Sequence, residues 1–158
     1  MAMDQHAARG EPLRAVGLLG DRASQLVQTV AVPFWKSGIL KWTGFLKLSD
    51  TAVTLFTDEF MLHLPGGPYH YPAPAVIAFL SGCAEITFPI LLVLGFATRF
   101  AALGLLFMTC IVELTVPDGW PIHIAWAAMA LGIMAWGPGR ISIDHLLRQV
   151  LGLPEEIR

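Results

Sequence analysis

The sequence predicts an all-α integral membrane protein. It is a four-helix bundle with a long external loop that contains a short amphipathic helix, and with an interfacial helix near the C-terminus. Three observations carry this prediction. Of the 158 residues, 55% are hydrophobic and only 14% are charged, whereas soluble domains carry about 25% charged residues. Apolar stretches near the roughly 20 residues needed to cross about 30 Å of hydrocarbon recur along the chain. One of them, Ala73–Ala97, holds a single formal charge, Glu85. A carboxylate at the centre of a span costs roughly 2.5–3.5 kcal/mol on insertion scales, so it points to a bundle interior or a functional site.

The length allows one bundle and no second sizeable domain. A net charge of −2 without a basic run gives no argument for a nucleic-acid partner, and none is expected. Residues 1–20 lack an apolar h-region and a small-residue cleavage site, so they read as a polar tail rather than a signal peptide. The membrane domain is expected over residues 21–151, with a tail at 152–158. Cys83 and Cys110 lie in apolar runs and read as small buried hydrophobes.

The first span, Asp21–Trp42, is the most polar. Gln25, Gln28, Val32 and Lys36 share one helical face, which is expected to point into the bundle. The external loop, Thr43–Tyr71, follows. Its Ser49–Leu64 portion places Ala52, Val53, Leu55, Phe56, Phe60 and Leu64 at amphipathic spacing, and Pro65-Gly66-Gly67-Pro68 breaks the helix. The second span, Pro72–Phe96, sets Ala78, Ser81, Gly82, Glu85 and Pro89 on one small-residue face suited to close helix approach. The third, Thr98–Val116, aligns Ala102, Leu106, Thr109, Cys110 and Glu113. The fourth, Trp120–Trp136, aligns His123, Ala127, Ala130 and Met134, and ends at Gly137-Pro138-Gly139. Ser142 then caps an amphipathic helix over Ile143–Leu151. With the N-terminus inside, seven arginines (Arg9, Arg14, Arg22, Arg99, Arg140, Arg148, Arg158) fall on the cytoplasmic side and Lys36, Lys41 and Lys47 toward the outside. That bias places both termini in the cytoplasm.

Two groups of residues can carry chemistry. Lys36 and Glu85 reach comparable depth on antiparallel helices, either as an ion pair that fixes helix register or as the rim of a polar cavity. Glu113 and His123 flank the turn at Pro117-Asp118-Gly119 and can meet across it. With Asp58, Glu59, His63 and His70 they would form a proton-exchanging or metal-binding cluster, His63, His70 and His123 being the metal candidates. Solvated loop residues are the alternative reading. Met61 beside His63 hints at copper. Arg99 and Asp144 share one edge, where a salt bridge would tie the turn between spans two and three to the C-terminal helix. Phosphate-binding glycine motifs, C-x-x-C and G-x-S-x-G do not occur.

Several pieces in order resemble the DoxX family of small four-helix membrane proteins. They are Ser37-Gly38-Ile39-Leu40-Lys41, Glu85, the run from Leu91 through Gly95-Phe96-Ala97-Thr98-Arg99, and Gly137 through Asp144. Phe34-Trp35-Lys36-Ser37-Gly38 and Leu55-Phe56-Thr57-Asp58-Glu59-Phe60 look like a narrower branch, encoded beside enzymes that make copper-binding modified peptides. The family takes its name from a subunit of an archaeal thiosulfate:quinone oxidoreductase, and many members carry an oxidoreductase label on that basis. The resemblance implies a bacterial inner-membrane, quinone-linked redox subunit, in which Glu85 and Lys36 bind or exchange protons with a quinone headgroup. His123 and Glu113 would connect it to the outer side. The alternative it implies is a non-enzymatic accessory protein in copper handling or peptide maturation. The expected partners are the lipid bilayer, a membrane or periplasmic redox or metal-handling protein, and further copies of the chain through the small-residue faces.

Overall fold

The computed structural model describes residues 25–137 and 142–151. The expected tails at 1–20 and 152–158 lie outside these residues, as do the start of the first span and the Pro138-Gly139 stop. The first helix, α1, is described over residues 25–40. Two short strands follow, β1 (Trp42–Gly44) and β2 (Lys47–Leu48), paired antiparallel. Next come a helical turn, α2 (Asp50–Thr54), a π-helical turn over Leu55–Glu59, and a second hairpin of β3 (Met61–Leu64) and β4 (Gly67–His70). Three long helices complete the body: α3 (Pro74–Leu94), α4 (Thr98–Thr115) and α5 (Trp120–Trp136). A short helix, α6 (Ile143–Val150), follows.

Among the described residues, three helical segments, Pro74–Leu94, Thr98–Thr115 and Pro117–Trp136, are long and apolar enough to cross a membrane. Their bounds follow from local chemistry. Pro74 begins α3 at a position where its missing N–H costs nothing. Gly95 ends α3 at φ +64, and a Cβ there would also sit 2.5 Å from the Cβ of Ser142. Conformation and space therefore both call for glycine at this turn. Between α4 and α5 only the 3-10 turn Pro117–Gly119 intervenes, which returns α5 antiparallel alongside α4.

The main apolar cluster joins Val30 and Phe34 of α1, Leu92 of α3, Ala101, Ala102 and Leu105 of α4, and Ile133 of α5. Phe34 packs on Trp126 of α5, ring centroids 5.3 Å apart. In a bilayer such contacts hold by packing rather than by water exclusion, which favours the small residues seen here. A second cluster, Phe56, Tyr71 and Ala78, docks the α2 region on the first turns of α3.

Three expectations are corrected. Residues 61–64 form a strand and not the end of an amphipathic helix. Phe60 leaves the helix at ψ 125, and Pro65-Gly66 makes the turn that pairs Leu64 with Gly67. The Gln25, Gln28, Val32 and Lys36 face of α1 is exposed, because Val30, Phe34 and Gly38 on the opposite side supply the surface that fits the other helices. Cys110 is exposed and Cys83 half-buried, so neither is a core residue. The face of α3 matches its expectation: Ala78, Gly82, Glu85 and Pro89 are buried, with Leu92.

Candidate functional site

Two polar constellations lie among the apolar helices. The first is centred on Glu85, which is only 4% exposed. Gly38 of α1 lies directly against it: a Cβ at position 38 would be 3.0 Å from the Glu85 Cβ. This close approach brings the end of α1 over the carboxylate. Lys41, one residue past α1, donates from Nζ to Glu85 Oε2 at 2.6 Å and to Ser37 Oγ at 2.9 Å. Ser81, one turn earlier on α3, donates to Glu85 Oε1 at 3.2 Å. Both carboxylate oxygens are therefore engaged, which buried charges require. Trp42 follows Lys41, and its indole lies on Gly82, where a Cβ would stand 2.8 Å from the ring. Among the described residues, the buried Trp42 Nε1 has no hydrogen-bond partner. Pro89 is placed one turn after Glu85 and cannot donate to its carbonyl, which loosens α3 at this point.

The cation at Glu85 is thus Lys41 and not Lys36. Lys36 is exposed on α1. Five residues on a helix are a rotation of about 140°, so the two lysines cannot serve the same side. The i, i+4 spacing of Ser37 and Lys41 and the glycines at 38 and 82 were the available signals.

The second constellation is the one expected across the Pro117–Gly119 turn. His123 is 7% exposed and Glu113 lies opposite on α4. His123 Nδ1 lies 2.7 Å from Glu113 Oε2, with the ring nitrogen donating to the carboxylate. The imidazole folds back over Gly119, where a Cβ would fall 2.3 Å from Cε1. Trp126 flanks its other side, ring centroids 5.3 Å apart. The pair opens into a cleft of about 280 Å³ between α4 and α5, lined by Thr109, Cys110, Glu113, Leu114, Trp120, His123, Ile124 and Ala127. Apart from the dyad its walls are almost wholly apolar. A second cleft, about 330 Å³, is lined by Ala31, Val32, Trp35, Pro89, Ile90, Val93 and Leu94. Neither is lined by Glu85 or Lys41.

The histidines of the β3–β4 hairpin do not join the dyad. The ring of His63 on β3 is bonded through Nδ1 to the carbonyl of Leu114 at 3.1 Å, and His70 is exposed on β4. Asp58 and Glu59 are exposed in the π-helical turn. Among the described residues no three His, Cys, Asp or Glu side chains gather as a metal site. At the opposite end, Asp144 ties α6 to the α3–α4 turn through backbone groups. Its carboxylate accepts from the amides of Ala97 and Thr98 at 2.7 and 2.9 Å, and its own amide donates to Gly95 O at 2.9 Å.

A sequence model of the DoxX family matches residues 28–118. The chain belongs to the DoxX family. The match spans the Ser37–Lys41 segment, Glu85 and Glu113, and it stops just before His123. An uncharacterized protein of Haemophilus influenzae is similar to this DoxX chain, at 24% identity over 136 residues, covering 77% of this chain and 80% of the relative. No solved structure gives a significant match. The apolar helices and the family together make this a membrane protein. Chemically, the saturated Lys41–Glu85 cluster is suited to holding α1 against α3. The Glu113–His123 dyad sets an imidazole and a carboxylate at the edge of an open cleft, a pairing suited to proton exchange.

Proposed function

We propose that this DoxX protein is a four-helix inner-membrane subunit that binds a quinone headgroup in the α4–α5 cleft and exchanges protons with it through His123. The observation that carries this reading is a buried histidine, oriented by a carboxylate at 2.7 Å, at the edge of an apolar cleft of about 280 Å³. Exposed Cys110, Trp120 and Ile124 border the cleft, so it opens toward the lipid in which quinones dissolve. The volume is at the small end for ligand sites, which suits a headgroup whose tail stays in the bilayer. Glu113 holds the tautomer whose Nε2 accepts a proton from a quinol hydroxyl, and it stabilises the imidazolium that results. Complete oxidation of a quinol releases two protons and two electrons, so His123 takes the protons one at a time, passing the first on before it accepts the second, and an electron-accepting partner protein takes both electrons. Glu85 and Lys41 keep α1 in place in this reading, and Lys36 is not part of the site. The copper-handling alternative draws on the family resemblance, without a gathered set of ligands among the described residues.

The test is titration of a short-chain quinone into protein in lipid nanodiscs, followed by quenching of tryptophan fluorescence. Saturable quenching is expected. His123→Ala should weaken it at least tenfold, and Gly119→Ala should weaken it by displacing the ring. Parent-like binding by His123→Ala would remove the dyad from the site.

A further inference from the structure

The short β1–β2 hairpin lies at an unusual depth. Its level is set by α3, whose 21 residues span about 31 Å, matching the hydrocarbon of a bilayer. Gly38 abuts Glu85 and Ile86, and the Trp42 ring lies on Gly82. The hairpin therefore starts near the level of Gly82, eight residues or about 12 Å below the Pro74 end of α3. It also returns there: the Ser49 amide donates to Lys41 O at 2.8 Å, and the Ser49 hydroxyl to Leu40 O at 3.3 Å. Between these points the chain has three residues out, the turn Phe45-Leu46, and two back. Three extended residues reach at most about 10 Å. Even pointed straight outward, the tip does not pass the end of α3.

Phe45 is 95% exposed and Leu46 56% exposed at that tip, and Leu40 at the base is 78% exposed. Large apolar side chains at this depth meet acyl chains. Lys47, beside the tip, has a stem long enough to lift its ammonium toward the headgroups. We propose that the Trp42–Leu48 hairpin is a membrane wedge, with Phe45 and Leu46 seated among the acyl chains of the leaflet on the hairpin side. The wedge replaces the last turns of α1, and it clamps Lys41 and Trp42 onto α3 from the lipid side. Irregular backbone at such depth needs internal partners: Trp42 packs on α3 through Gly82 and Phe79, and pairing of β1 with β2 satisfies part of the exposed backbone beyond it.

The experiment uses the full chain with Cys83 and Cys110 replaced by serine, reconstituted in phosphatidylcholine and phosphatidylglycerol liposomes. A nitroxide is attached at Phe45→Cys, with Leu46→Cys as the second position should the first not fold, and at Tyr69→Cys on β4 as the aqueous control. Collision rates are read with oxygen, which concentrates in lipid, and with a water-soluble nickel chelate. Positions 45 and 46 should collide with oxygen several-fold more than with nickel, and position 69 the reverse. Nickel access at 45 equal to that at 69 would overturn the wedge. Shielding of 45 from both reagents would also overturn it, and would put a protein surface, such as a second copy, over the tip.

Discussion

Glu85 and Lys41 each leave water at a cost of several kcal/mol, and their mutual contact at 2.6 Å offsets that cost only while both are present. Removing one partner is therefore worse than removing both. Glu85→Gln strands the Lys41 ammonium beside Ser37, and a loss of roughly 3–5 kcal/mol is expected. The double variant Lys41→Met/Glu85→Gln should recover most of it. Thermal midpoints in detergent across this cycle measure the coupling. Additive losses would mean that the two charges do not hold each other. The cluster also explains the small residues around it. Gly38 and Gly82 leave no room for a Cβ against Glu85 and Trp42, so the polar contact and the helix approach are one arrangement.

At the scale of elements, α4 begins without a capping side chain of its own, because Ala97 occupies the position before it. Asp144 supplies the cap from α6, accepting two amides and placing negative charge at a helix N-terminus. Capping interactions are worth about 0.5–2 kcal/mol. Asp144→Ala should lower stability by that order while leaving helix content nearly unchanged. Hydrogen exchange should accelerate at residues 97–99 and 143–150 together, because one side chain serves both ends. Acceleration confined to α6 would separate the cap from the start of α4.

For the whole molecule, the hairpins and α6 sit at opposite ends of α3, since Phe56 and Tyr71 pack on its first turns and Asp144 on its exit turn. The distribution of arginines along the sequence predicts that the α6 end faces the cytoplasm. A cysteine at His70 should then react with a membrane-impermeant maleimide in intact cells, and one at Val150 only after lysis. The reverse pattern would invert the topology. The helical membrane character and three apolar spans were legible because bilayer thickness imposes length and composition directly. The hairpins were not, because four residues around Pro65-Gly66 outweigh a helical pattern once Phe60 turns away.

Glu85 marks how far reading along the chain could go. Its exceptional position, the face it occupies on α3 and the meeting of Glu113 with His123 follow from local spacing, since a helix of known pitch determines what shares a side and a short turn determines what lies opposite. The partner of Glu85 does not follow. Lys36 and Lys41 were both available, and the choice depended on where α1 ends and on Gly38 letting it approach α3. The exposed polar stripe of α1 has the same origin. In a solvent as apolar as the core, polarity alone does not orient a helix, and the fit of surfaces that meet only in the folded chain does.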